Sequence, residues 1–292
     1  MAKAKRQIID DLKIIDIVIE IVDARIPISS QNPDIKEYIK NKKKIIVLNK
    51  SDLADEIETK KWIKYFESQN INCVQTDSNS GKGINDILNV VKKISKEGEE
   101  KYIQNGRVGK SVRVLILGIP NVGKSSFINR ISKKTSAQVG NKPGITKQKQ
   151  WIRLTEGIEL MDTPGILWPK FQTQEIALNL AYTGTIKDEI LPKTEIAFSL
   201  LKYLIYNYKK NICERYKIDK TVIDEIINSK EYQQENEKIL EIFELIGKKR
   251  GAIVSGGKVD LEKSSNIILE DFRSGKIGKI TLEKEERLGT II

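Results

Sequence analysis

Histidine is missing from the sequence altogether. That removes the commonest general base and metal-ligating side chain, so any proton-transfer or metal chemistry must rest on carboxylates, hydroxyls, lysines or the backbone. Cysteine is almost as scarce: Cys73 and Cys213 stand far apart with no CxxC spacing. Neither a disulfide framework nor a zinc site is expected, and the usage fits a reducing, cytoplasmic compartment. Long apolar runs are lacking too. The longest, Ile14 to Val22, is interrupted by Asp16 and Glu20 and is too short to span a bilayer, so no membrane partner is expected. The N-terminal Met-Ala-Lys-Ala-Lys-Arg has basic residues but no apolar stretch and small-residue cleavage site behind them, which excludes a secretory signal. Internal repeats and low-complexity tracts are absent as well.

The composition that is present, 39% hydrophobic and 31% charged, reads as globular and soluble, with room for one large domain or two of ordinary size. The net charge of +11 is unevenly placed. Gln172 to Ile292 balances 20 basic against 20 acidic residues, so the whole excess lies on Met1 to Phe171. Clusters such as Lys3-Lys5-Arg6, Lys40-Lys42-Lys43-Lys44 and Lys147-Lys149 are the footprint of a polyanion binder. Solvated charges of a lysine-rich chain would look the same by composition alone.

Up to about residue 170, short β-branched runs alternate with helical patterns. Strands are predicted at Ile17–Val22, Lys44–Leu48, Asn72–Gln75, Val112–Leu117, Gln150–Leu154 and Ile158–Met161. Helices are predicted from Asn32-Pro33, an N-cap followed by proline at the first helical position, to about Lys40, over Ile57–Ser68 and Ile84–Ser95, and after Gly123. Gly106 to Ser111 reads as a loop. Such alternation implies βαβ units and a mostly parallel sheet. Beyond Pro169 the spacing becomes helical: Ala197, Leu200, Leu201, Leu204 and Tyr208, then Ile239, Leu240, Phe243 and Ile246, then Ile267, Ile268 and Phe272. Only a weak strand signal near Lys279–Leu282 interrupts it.

Five short motifs carry chemistry. Gly118-Ile-Pro-Asn-Val-Gly-Lys-Ser125 satisfies G-x-x-x-x-G-K-[ST] between a predicted strand and a predicted helix, the context this phosphate loop requires. Its backbone N–H groups and the helix N-terminus would cradle phosphate oxygens; Lys124 would reach the β- and γ-phosphates and Ser125 would ligate Mg²⁺. Asp162-Thr163-Pro164-Gly165 follows an apolar strand about 40 residues later. Alone it reads as a turn. After a phosphate loop it reads as a second magnesium motif, with Asp162 holding a metal-bound water and the Gly165 N–H free to approach a γ-phosphate. Thr146, in Pro143-Gly144-Ile145-Thr146, stands where a switch threonine would complete the Mg²⁺ shell; an incidental threonine in a Pro-Gly turn is the plainer reading. Asn49-Lys50-Ser51-Asp52 matches NKxD, the guanine-recognition motif of GTPases. The Asp52 carboxylate can accept from guanine N1–H and the 2-amino group, whereas adenine would leave it unpaired. Asn49 would steady the loop and the N7 side of the base, and the Lys50 stem would lie along the ring. Asp77-Ser78-Asn79-Ser80-Gly81 is the weakest motif, a loop whose N–H groups would meet guanine O6.

The order of these motifs is unusual. In Ras-like GTPases the phosphate loop comes first, but here NKSD precedes it by about 70 residues. A site at the carboxyl ends of parallel strands depends on spatial adjacency and survives such a circular permutation. With NKSD, GIPNVGKSS, PGIT and DTPGILWP in this order, and with Asp23-Ala24-Arg25-Ile26-Pro27 and Gly247-Lys-Lys-Arg-Gly251, nearly the whole chain resembles the ribosome biogenesis GTPase A family of YlqF-type permuted GTPases. The resemblance implies GTP/GDP and Mg²⁺ as ligands. Its nucleotide residues would be Asn49, Lys50, Ser51, Asp52, Asp77, Ser78, Asn121, Val122, Gly123, Lys124, Ser125, Ser126 and Gly165, with Ser125, Thr146 and Asp162 around the metal and Lys124, Thr146 and Gly165 closest to catalysis. Potassium is a further expectation, since some related GTPases use a phosphate-loop asparagine, here Asn121, to hold it. The implied role is late assembly of the large ribosomal subunit in the cytoplasm, with the immature subunit and its rRNA as partners and no DNA or membrane.

Two departures bear on activity. The family usually begins with a short segment carrying Trp-Phe-Pro-Gly-His ahead of the position of Met1, and its histidine is thought to assist catalysis; the sequence has none. Ile166 follows DTPG where Ras-type enzymes carry a water-orienting glutamine, a feature the family shares. The expected fold class is α/β: a circularly permuted P-loop GTPase (Rossmann-like) domain over residues 1–169, then a smaller, mainly helical domain over 170–292 for ribosome recognition. The expected activity is GTP hydrolysis by water. A GTP-dependent RNA-binding switch with negligible hydrolysis is the main competing reading; an ATPase is a second, which Asp52 argues against.

Overall fold

The computed structural model describes the chain except residues 1–8, 34–38, 40–41, 105–110, 140–150, 156, 163–170, 191, 233 and 292, and it describes the backbone alone for residues 97–104, 134–139, 154–155 and 290–291. The chain divides into two compact units, Met1–Thr173 together with Thr281–Ile292, and Gln174–Ile280.

The first unit is built on six strands: β1 Ile17–Asp23, β2 Lys43–Asn49, β3 Asn72–Gln75, β4 Val112–Leu117, β5 Trp151–Thr155 and β6 Ile158–Asp162. Their spatial order is β3-β2-β1-β4-β6-β5, with every pairing parallel except the β5–β6 hairpin. β1 lies in the middle and is buried at all its positions, which is why its sequence is a β-branched run and not an alternation. Helices α1 Glu56–Ser68, α2 Ile84–Gln104 and α3 Lys124–Val139 separate the strands. α1 is capped by Asp55, whose carboxylate accepts from the N–H groups of Ile57 and Glu58, and it buries Trp62 and Phe66 with Val22, Ala24, Ile46 and Leu48. The strands predicted from sequence match to within a residue or so at each end. α2 runs longer than its apolar spacing indicated. The helix expected from Pro33 to Lys40 and the loop expected at Gly106–Ser111 fall largely outside the described residues.

The parallel register has one functional consequence. Asp23 pairs with Asn49, Leu48 with Gln75, Glu20 with Leu117, and Ile116 with Asp162. The ends of β1, β2, β3, β4 and β6 therefore share one edge of the sheet. In sequence, NKSD, the Asp77–Gly81 motif, the phosphate loop and DTPG stand at or just after the ends of β2, β3, β4 and β6, and Asp23-Ala24-Arg25 stands at the end of β1.

The second unit is helical: α4 Gln174–Tyr182, α5 Lys193–Asn207, α6 Lys209–Tyr216, α7 Lys220–Asn228, α8 Glu235–Lys249 and α9 Leu261–Arg273. Ala197, Leu200, Leu201, Leu204, Ile239, Phe243, Ile246, Ile268 and Phe272 are buried as their spacing implies, while Leu240 is exposed. Asp271, buried on α9, is held by a two-pronged ion pair from Arg215 on α6 at 2.8 and 2.6 Å. None of the described helices is long and apolar enough to cross a membrane.

The weak strand signal at Lys279–Leu282 corresponds to no strand. Ile280, Thr281, Leu282 and Glu283 are all buried, so the apolar signal came from burial of an irregular segment. That segment carries the chain back into the first unit. An expected boundary at residue 169/170 with a single crossing leaves this return out.

Candidate functional site

The phosphate loop is shaped by two residues with positive φ, Asn121 at 64° and Gly123 at 90°. Only Gly123 needs to be glycine on spatial grounds: a Cβ there would lie 2.3 Å from Nδ2 of Asn49. Directly after it α3 begins at Lys124, with Ser125 and Ser126 exposed in its first turn. The Lys124 ammonium lies 2.5 Å from Oδ1 of Asp162, at the end of β6. The cation suited to phosphate and the carboxylate suited to a metal-bound water thus occupy one spot.

Asn49 fastens the base side of the site to the phosphate side. Its Nδ2 donates to the Val122 carbonyl at 2.8 Å. Its Oδ1 accepts from Thr76 Oγ1 at 3.1 Å, Ser78 N at 3.2 Å and Ser78 Oγ at 2.7 Å. One buried amide therefore joins NKSD, the loop after β3 and the phosphate loop. Arg130, on α3, adds a second link by donating from Nε to the Ser78 carbonyl at 3.2 Å.

Lys50 has φ 59°, and its ammonium lies 3.0 Å from Oδ2 of Asp23. Asp23 is itself gripped by Arg25, Nε to Oδ1 at 2.9 Å and Nη2 to Oδ2 at 2.8 Å. Burial would push the Asp23 carboxyl up, but the Arg25 and Lys50 charges outweigh it and hold the group far below the carboxylate range. Ser51 donates its N–H to the Thr76 carbonyl at 3.0 Å. Asp52, beyond it, projects an exposed side chain. Its pKa is raised, first by partial desolvation and then by the charge of Asp77. Asp77 moves the other way: burial raises it, but hydrogen bonds from the Ser80 side chain and from the N–H groups of Asn79 and Ser80 prevail.

This opposition has a measurable consequence. A ligand donating two N–H groups to Asp52 needs the carboxylate ionised, so binding must release the proton that a raised pKa retains. Guanine-nucleotide affinity should therefore fall as pH drops through a range above that of an ordinary aspartate. Titration of GDP at stepped pH, in two buffers of different ionisation enthalpy, should show growing proton release on acidification. Affinity flat down to about pH 4 would contradict it.

The structure brings Asn49, Lys50, Ser51, Asp52, Asp77, Ser78, Asn121, Val122, Gly123, Lys124, Ser125, Ser126 and Asp162 to the one sheet edge. Thr146 and Gly165 lie outside the described residues. Asp23 entered the sequence reading only as the first residue of the Asp23–Pro27 motif, with no role assigned; Thr76 and Arg130 were not singled out and offer no signal without the fold. The residues fit a nucleotide and its metal. The missing Cβ of Gly123 lets the Asn49 amide reach in beside the phosphate loop, which joins a base-reading loop to a phosphate-binding one, and Ser125 with Asp162 supplies two oxygen donors. Among the described residues no cluster of three acidic, cysteine or histidine side chains could hold a metal unaided.

Comparison with known proteins places this geometry among relatives. Residues 113–254 match the family described as 50S ribosome-binding GTPase; that match begins at β4, as a permuted order requires. The chain is 43% identical over 289 residues to Ribosome biogenesis GTPase A of Bacillus cereus, covering 99% of this chain and 93% of that protein. It is 31% identical to the protein of the same name from Thermotoga maritima, covering 97% and 92%. A GDP-bound YlqF structure superposes with a TM-score of 0.66 at 28% identity, covering 96% of this chain and all of that one. The GNP-bound YlqF structure from T. maritima gives 0.63 at 29% identity, covering 97% and 98%.

Proposed function

The chain belongs to the ribosome biogenesis GTPase A family and is a GTPase, and on that premise we propose that it assists late assembly of the large ribosomal subunit by binding rRNA of the immature particle under the control of its nucleotide. The Asn49 clasp carries the nucleotide part of the reading. It ties a base-reading loop to a phosphate loop across a permuted chain, so base and phosphates are sensed together. In this reading Asp52 takes the guanine edge, Lys50 lies along the ring, and Asp77 and Ser78 frame the O6 side. Asn121, Val122, Gly123, Lys124, Ser125 and Ser126 surround the phosphates. Ser125, Asp162 and Thr146 would hold Mg²⁺, which neutralises charge on the phosphate oxygens when bound. Lys124 offsets charge developing on the γ-phosphate as water attacks, and the Gly165 N–H stabilises the same group.

The partner part is supported by charge and kinship. The basic excess N-terminal to Gln172 suits a phosphate backbone. The names of its relatives, Ribosome biogenesis GTPase A among them, point to ribosomal particles, and the reading places the protein in the cytoplasm. With no histidine and an apolar residue after DTPG, the isolated protein should hydrolyse GTP slowly, and the particle should complete the catalytic surroundings. Potassium enters the proposal through Asn121. Single-turnover GTP hydrolysis with and without purified large subunits, in K⁺ and in Na⁺ at equal ionic strength, tests all three points. Stimulation by large subunits, greater in K⁺, is the expected result. Unchanged rates with subunits would refute the assigned partner, and equal rates in the two salts would remove the potassium ion.

A further inference from the structure

The segment Thr281–Glu283 returns to the first unit and is buried throughout, with Thr281 and Glu283 at 0% exposure. Its hydrogen bonds go to both flanks of the loop that carries Asp52. On the C-terminal flank, Asp55 donates its N–H to Thr281 Oγ1 at 3.0 Å. Asp55 caps α1 and lies just beyond Asp52. On the other flank, Leu282 donates its N–H to the Arg25 carbonyl at 2.9 Å. The Glu283 carboxylate accepts from the N–H groups of Ile28 at 2.6 Å and Ser29 at 2.9 Å, and from the Ser29 hydroxyl. Arg25 grips Asp23, and Asp23 holds Lys50. Trp62 of α1 donates to the Glu283 carbonyl at 2.8 Å, so α1 is fastened to the same short segment.

A buried carboxylate is tolerated only where its oxygens are satisfied, and charge-assisted bonds to backbone N–H groups are among the stronger anchors available. The loop from Asn49 to Asp52 is thus slung between two fixed points, the Asp23–Arg25 turn and the cap of α1, and both end on Thr281–Glu283. We propose that Thr281 and Glu283 are positioning residues for base recognition. They do not touch the nucleotide. They hold the loop so that the Asp52 carboxylate meets the guanine edge squarely, acting through Asp55 on one side and the Arg25–Asp23–Lys50 chain on the other. The inference rests on the reading that Asp52 contacts the guanine N1–H and 2-amino group.

Comparing GDP with IDP separates positioning from plain stabilisation. IDP lacks only the 2-amino group, so the ratio of the two affinities reports the contact at that amine. Loss of general packing lowers both affinities together and leaves their ratio intact. Loss of positioning lowers the ratio. The full chain should prefer GDP over IDP by ~10-fold or more, as befits a hydrogen bond to a charged acceptor. Thr281→Val keeps shape and removes the acceptor; Glu283→Gln keeps shape and removes the charge. Each should cut the ratio by at least ~3-fold, the scale of coupling between groups in one network. Should Glu283→Gln fail to fold, Thr281→Val alone decides. A folded variant with the wild-type ratio overturns the positioning role. A wild-type chain that binds GDP and IDP equally overturns the assignment of Asp52 itself, and the proposal with it.

Discussion

Replacing Asp52 by asparagine should lower GDP affinity by ~10²- to 10⁴-fold and make XDP the better ligand. Each hydrogen bond from the base to a charged acceptor contributes ~1.5–3 kcal/mol, and guanine has two to offer; every ~1.4 kcal/mol is tenfold in affinity. The amide keeps the shape of the carboxylate but turns one acceptor into a donor. That donor faces the 2-amino group of guanine and is unpaired against it. Xanthine carries a carbonyl oxygen at the same place and accepts the new donor. The side chain is exposed and caps no helix, so the substitution should leave folding almost untouched. Competition of GDP and XDP against a fluorescent guanine nucleotide measures both effects. Equal loss of both nucleotides, or no loss, would mean that the base edge is read elsewhere.

Gly123→Ala should abolish nucleotide binding to at least ~100-fold weaker affinity, by breaking both halves of the site at once. A left-handed backbone costs an L-residue ~1–2 kcal/mol, and Gly123 sits at φ 90°. The larger effect is steric, since the new methyl group would lie 2.3 Å from Asn49 Nδ2. Asn49 cannot withdraw freely, because its other amide atom is held by Thr76 and Ser78 and its Nδ2 is committed to Val122. The phosphate loop must shift or the clasp must open. Thermal unfolding with and without GDP gives the readout. Wild-type protein should gain melting temperature with ligand by mass action, and the variant should gain nothing while still unfolding cooperatively. An undiminished ligand-induced shift would show that the clasp tolerates crowding.

The parallel strands were legible because strands buried on both faces read as mostly apolar, β-branched runs. β1 and β4 needed no more than their own residues to be found. The phosphate loop was equally legible, since its glycine spacing is a local backbone requirement met within eight consecutive residues. The Asn49 clasp was not, because its partners come from two other loops, Thr76 and Ser78 from the one after β3 and Val122 from the one after β4, and meet it only through the β3-β2-β1-β4 order. Lys50 was expected to lie along a base, but its ammonium is also held by Asp23, a contact that needs β1 and β2 side by side in register. Leu240 was placed in an apolar stripe by spacing and is exposed, since a helical period marks a face and blurs at its edges. The return of Thr281–Glu283 was hidden for a different reason. A buried glutamate looks like a surface residue in sequence, and only its bonds to the Ile28–Ser29 turn disclose where it lies.

Permutation leaves the site intact only if base and phosphate loops meet across chain segments joined in a new order. Calorimetric titration of the wild-type chain with GTP and with ATP, both with Mg²⁺, tests that meeting most directly. The expected result is one site per chain and GTP at least ~10³-fold tighter than ATP, since adenine leaves the Asp52 carboxylate unpaired. Comparable affinities for the two nucleotides would contradict it.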